Sequence, residues 1–214
     1  MKLSSKRESL GEEIANGITH GIGALLSIVG LVFLVMKAIH DGDPIKVATF
    51  SVFGASMVLI YSSSTLYHSF PWPRVKAFFR WMDHAAIYVF IAATYTPFLL
   101  LNLRGGSGWW LFAIVWALAI SGVLFKLFHI DKFPVTSVLF YLGMGWLAVF
   151  SVRETITHVP PVGIGMLVAG GLAYSFGVIF YFLDKMPFNH AVWHCFVMTG
   201  TTCHYFAVLK YANA

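Results

Sequence analysis

The sequence predicts an all-α integral membrane protein: seven transmembrane helices, with the N-terminus inside and the C-terminus outside. Three observations carry this reading. Of the 214 residues, 58% are hydrophobic and only 11% are charged, against roughly 25% charged in an average soluble domain. Seven stretches reach the ~20 apolar residues that a helix needs to cross a bilayer core. The segments between them carry the Gly, Pro and Asp that end helices.

The first 16 residues form a polar N-terminal segment (1–16), expected on the cytoplasmic side. Within it, RESLGEEIA (Arg7 to Ala15) has the pattern of a short amphipathic helix on the inner surface. The remainder (17–214) reads as one seven-helix domain. The first span runs from Gly17 to Ile39. At about 23 residues and without a small-residue cleavage pattern, it is a span and not a signal peptide. The break Asp41-Gly42-Asp43-Pro44 leads to the second span, Lys46 to Tyr67. Pro71-Trp72-Pro73 precedes the third, Met82 to Leu103, and the glycine-rich Arg104 to Gly108 precedes the fourth, Gly108 to Phe128. The fifth, Pro134 to Val152, ends before Pro160-Pro161, which opens the sixth, Pro160 to Leu183. Lys185-Met186-Pro187 leads to the seventh, Asn189 to Tyr211.

Orientation follows from Lys and Arg, which favour the cytoplasmic side. With the N-terminus inside, the inner segments hold nine of them (Lys2, Lys6, Arg7, Arg74, Lys76, Arg80, Lys126, Lys132, Lys185). The outer segments hold five (Lys37, Lys46, Arg104, Arg153, Lys210). The net charge of +5 is scattered singly between apolar runs and forms no nucleic-acid-binding face. Cys195 and Cys203, eight helical residues apart, are separated by ~12 Å, too far for a disulfide.

Ionisable residues at membrane depth are costly and point to function. Ser64 and His68 close span two, Asp83 and His84 open span three, and His190 and His194 open span seven. Spans three to six are four crossings, so all these residues fall near one surface, whichever way up the protein sits. The charge count makes that surface cytoplasmic. His190 and His194, spaced i, i+4, share a helix face, the spacing by which helices present two nitrogens to one zinc. His68 supplies a third. Three protein ligands with an open position is the arrangement of a catalytic zinc site, where bound water reaches a pKa of about 7. Asp83 then serves as base toward that water, or bonds a ligand histidine. Ser64 stands one turn before His68, where it assists Asp83 or bonds back to its own helix. His20 and His84 are expected in supporting positions around the ligands. His204, ~21 Å along the helix from His190, is too far to share the metal and is expected to be a buried hydrogen-bonding residue. Cys195 is expected to be a small apolar packing residue.

EEIANGITHGIG (Glu12 to Gly23), STLYHSF (Ser64 to Phe70), DHAAIYVFIAATYTPF (Asp83 to Phe98) and NHAVWHCF (Asn189 to Phe196) resemble the bacterial haemolysin III family, the bacterial branch of the progestin and adipoQ receptor (PAQR) family. The resemblance runs from Glu12 to the C-terminus. It implies an adiponectin-receptor-like bundle with the N-terminus in the cytoplasm and a place in the bacterial inner membrane. It also implies one zinc per chain on His68, His190 and His194, with Ser64 and Asp83 completing the pattern. The family is grouped with alkaline ceramidases, so the first expectation is a zinc-dependent hydrolase of a lipid amide or ester, with membrane lipid as partner and no nucleic acid or soluble protein partner. The alternative is a sensor or regulator of membrane lipid or energy homeostasis in which zinc is structural. A haemolytic pore ranks last, because the spans hold too few polar residues for a water-filled channel.

Overall fold

The computed structural model describes residues 8–130 and 132–213. Lys2, Lys6 and Arg7, which enter the orientation count, lie outside them. The described residues are 87% helical, with no strands among them.

Helix α1 spans Leu10–Asp41. Ser9 caps it: Glu12 N donates to Ser9 Oγ (3.2 Å), and Ser9 N donates to the Glu12 carboxylate (2.8 Å), a reciprocal box that satisfies two end donors. Gly42, at φ 74°, ends the helix in the left-handed conformation that glycine adopts without cost. The 32 residues reach ~48 Å, well beyond a bilayer core of ~30 Å. Residues 10–15, expected within a separate surface helix, are therefore the first turns of the first crossing. The apolar run marks only where that helix enters lipid.

Asp43 accepts from Ile45 N (2.8 Å) and Pro44 occupies the first turn of α2, Pro44–Ser69. Helix α3, Pro73–Pro97, likewise starts on a proline, nine residues ahead of the expected span. Pro97 has no N–H to give to the helix ladder, and the chain widens after it into a π turn, Phe98–Asn102. Helix α4 is Gly108–His129. The fifth crossing is broken: α5, Pro134–Gly145, gives way to a 3-10 turn, Leu147–Ser151, and then to α6, Val152–His158. Tyr95 of α3 supports the break. Its hydroxyl lies 3.0 Å from Met144 O and 2.6 Å from Gly145 O, and accepts from Ala148 N (3.1 Å). Irregular backbone inside a membrane must be satisfied by protein in this way. Helices α7, Pro161–Tyr181, and α8, Asn189–Tyr211, complete seven crossings.

Six crossings are long and apolar enough to span a membrane on composition alone. The seventh, α8, has the length, at 23 residues, but is diluted by His190, His194, His204 and a run of threonines. Its polarity is the polarity of the site.

Helices α2 and α3 form the buried centre. Phe50, Phe53, Met57 and Ile60 of α2 pack with Ala86 and Phe90 of α3, Leu34 of α1 and Val208 of α8. Helix α1 packs on α2 and α8, α4 on α3, and α7 on α8. Small residues set these crossings. A side chain on Gly23 would meet the Tyr61 ring at 2.7 Å, and one on Gly122 the Tyr88 ring at 2.4 Å; close helix approach in membranes depends on such positions. Leu25, Leu26, Trp110, Leu139 and Phe150 face outward, as suits a lipid-facing perimeter. Cys195, next to His194 on α8, is exposed, so the small apolar packing residue expected there sits on the perimeter. Between α3, α5, α7 and α8 lies a cavity of about 750 Å³. It runs from the polar ends of α1, α3 and α8 to Trp146 and His204.

Candidate metal centre

Crossings one, three and seven begin and crossing two ends at the same end of the bundle, and this brings the expected residues together. Helix α2 delivers Ser64 and His68 from its last turns, and α8 delivers His190 and His194 from its first. The ring centroids of His68, His190 and His194 lie 4.6–5.6 Å apart. One nitrogen from each falls within 4.8 Å of the others, so the three could hold a metal ion. All three Nε2 atoms are buried without a hydrogen-bond partner. Unsatisfied buried nitrogens cost roughly 1–3 kcal/mol each, and three of them on residues grouped this closely suit a ligand set.

The opposite nitrogens are held. His68 Nδ1 lies 2.8 Å from Glu13 Oε2, and His194 Nδ1 lies 3.1 Å from Thr19 Oγ1. His190 Nδ1 faces Glu8 Oε1 at 3.8 Å. Metal-binding histidines donate their second N–H to such groups, which fixes the tautomer and aims the free nitrogen. Glu13 is held in turn by Lys76 Nζ at 2.7 Å, and Lys76 also donates to Tyr67 O. Glu8 accepts from Asn16 Nδ2 (2.9 Å). Burial raises the Glu8 carboxyl above its usual range, against the opposing pull of His68. Glu8, Glu13 and His68 form a second group of converging ligand atoms. The Lys76–Glu13 pair and the Glu13–His68 contact already occupy it.

Ser64 is fully buried. Its neighbours Ser63 and Thr65 bond back to carbonyls of α2, but Ser64 Oγ makes no such bond. It lies instead beside the Asp83 carboxylate, which also feels His68 and lines the cavity. Of the two positions expected for Ser64, the one beside Asp83 is the one it takes. His20, 2% exposed, stacks on His194 with centroids 3.4 Å apart. His84 lines the cavity on the side of Lys126 and Arg80, and its carbonyl accepts from Tyr141 (3.1 Å). No hydrogen bond among the described residues joins it to the three histidines. His204 is hydrogen-bonded as expected, with Nε2 3.0 Å from Leu167 O, but half-buried.

The family model described as "Haemolysin-III related" matches residues 9–205. The chain belongs to this family. It is 47% identical over 210 residues to "Hemolysin-3" of Bacillus cereus, covering 98% of this chain and 96% of the relative. It is 47% identical over 203 residues to "Hemolysin-3 homolog" of Bacillus subtilis (strain 168), covering 95% of each. It is 32% identical over 209 residues to human "Monocyte to macrophage differentiation factor", covering 94% of this chain and 84% of that protein.

In this haemolysin-III-related protein, residue-by-residue reading missed the contribution of α1. Glu8, Glu13 and Thr19 orient the three histidines, and none was singled out for that role. A signal was present. Glu12, Asn16, His20, Gly23, Ser27 and Gly30 recur every three or four residues and are all buried, a polar and small-residue stripe along an otherwise apolar helix. Such a stripe marks the face turned into the bundle.

Proposed function

We propose that this protein is a zinc-dependent hydrolase of a lipid amide or ester, with His68, His190 and His194 holding one zinc ion. The observation that carries this is the three buried Nε2 atoms without a partner on His68, His190 and His194, residues grouped within metal-holding reach of one another, of which His190 also lines the cavity. An all-nitrogen set of three suits zinc and leaves a position open. Zinc, when bound, supplies Lewis acidity and a water acidified to a pKa of about 7.

The chain's own residues supply the rest. Glu13 and Thr19 fix the rings of His68 and His194 through Nδ1. Asp83, beside Ser64 and on the cavity wall, is placed to take a proton from the attacking water and return it to the leaving group; Ser64 positions its carboxylate. Ile87, Ile91, Val138 and Leu142 line the cavity beyond and accept an acyl chain while excluding water. The lipid comes from the bilayer, the bacterial inner membrane on this reading, with the N-terminus and the site at the cytoplasmic face. Purified wild type is expected to hydrolyse a long-chain acyl amide or ester. Asp83→Asn should keep its zinc and lose turnover by 10²-fold or more, in line with general-base catalysis. Turnover unchanged in Asp83→Asn would remove this mechanism.

A second reading has its own observation. The three histidines and their α1 partners tie α1, α2 and α8 together, so a structural zinc in a membrane sensor fits the same contacts. Here zinc removal lowers thermal stability, and no lipid is turned over with zinc present.

A further inference from the structure

We infer that His20 is a substrate-contacting residue: its imidazole hydrogen-bonds the carbonyl group of the lipid that lies in the cavity. This rests on the hydrolase reading only for the choice of a carbonyl lipid as ligand. Three observations support it. His20 is 2% exposed, and both Nδ1 and Nε2 are buried without a partner. It is not part of the group of ligand atoms formed by the other three histidines. It lines the cavity, as do His190 and Asp83, whereas His68 and His194 do not.

Its posture is fixed from two sides. One face stacks on His194 at 3.4 Å with planes 13° apart, and Tyr61 meets it edge-on at 5.0 Å. Tyr61 is itself anchored, donating to Thr201 Oγ1 (2.7 Å). The ring is therefore held rigidly, with its polar edge unsatisfied, where an acyl carbonyl would pass on its way to Asp83 and His190. A neutral imidazole has one N–H to donate and one nitrogen to accept. Leaving both unmade inside a membrane is costly, and a ligand carbonyl removes part of that cost. The donated bond also turns the carbonyl toward the three histidines, which gives His20 a role in orienting the reacting bond.

The test uses the full chain in lipid nanodiscs, with two fluorescent probes: a dodecanoyl amide bearing a dansyl group, and a dodecyl amine bearing the same group but no carbonyl. The variants are His20→Phe, which keeps a flat ring for stacking and loses both nitrogens, and His20→Asn, which restores a donor and an acceptor. His20→Phe is expected to keep the wild-type metal content and melting temperature. It should bind the amide probe about tenfold more weakly, the worth of one hydrogen bond, with amine binding unchanged. His20→Asn should recover part of the loss. Equal binding of both probes by wild type and His20→Phe overturns the inference. So does loss of metal from His20→Phe, which makes the residue a support for the cluster. Wild type that binds the amide with the expected preference but never hydrolyses it removes the proposed activity and leaves the His20 contact standing.

Discussion

Glu13→Ala offers a direct perturbation of the candidate metal centre without touching a ligand. The carboxylate bonds His68 Nδ1 at 2.8 Å and Lys76 Nζ at 2.7 Å. Removing it frees the His68 ring to rotate and leaves its Nδ1–H without an acceptor. Loss of such a partner typically costs 10–100-fold in metal affinity, which is about 1.4–2.7 kcal/mol. The Glu13 side chain is 22% exposed, so water replaces part of the lost bond and the lower half of that range is expected. Two companions divide the effect. Lys76→Met leaves the Glu13–His68 bond in place and should weaken zinc by less than about threefold, because Lys76 acts on His68 only through Glu13 and the half-buried pair is still partly screened by water. Thr19→Val removes the 3.1 Å contact to His194 and should cost about threefold to tenfold, the worth of one neutral hydrogen bond. The assay is chelator competition on purified protein at fixed pH, with the melting temperature as a folding control. Unchanged affinity in a folded Glu13→Ala protein would refute the orienting role of α1.

Further outcomes follow from the same contacts. Zinc binding requires each histidine to be deprotonated at its ligating nitrogen, so affinity should fall as the pH is lowered. A titration by equilibrium dialysis that shows affinity rising toward acid contradicts a histidine site. Gly122→Ala forces a methyl group to within 2.4 Å of the Tyr88 ring and should lower stability by about 1–3 kcal/mol, read as a lower melting temperature with metal content retained. Ser9→Ala removes one half of the α1 cap and should cost about 1 kcal/mol, a smaller shift in the same assay.

Much of this site was legible because topology does the work that distance does in a structure. An even number of crossings separates span three from span seven, so Asp83 and His190 had to return to one surface with His68. The i, i+4 spacing of His190 and His194 then placed both rings on one face. What stayed hidden came from two sources. Contacts across helices depend on rotation about each axis, which apolar runs do not specify; Glu13 and Thr19 of α1 reach His68 and His194 only because the stripe beginning at Glu12 turns inward. Helix ends beyond the lipid are also invisible to hydropathy. α1 and α3 each start well before their apolar runs, and Glu13, Lys76 and Arg80 on those early turns, with Glu8 just ahead of α1, line the cavity. The break of the fifth crossing at Gly145 was hidden for a third reason: it depends on Tyr95, 50 residues away.

One zinc on His68, His190 and His194 is tested by the metal content of detergent-purified wild type beside His68→Ala, His190→Ala, His194→Ala and His204→Ala. One zinc per chain is expected in wild type and in His204→Ala, and none in the other three. Metal-free wild type, or zinc retained in any of those three variants, would rule the site out.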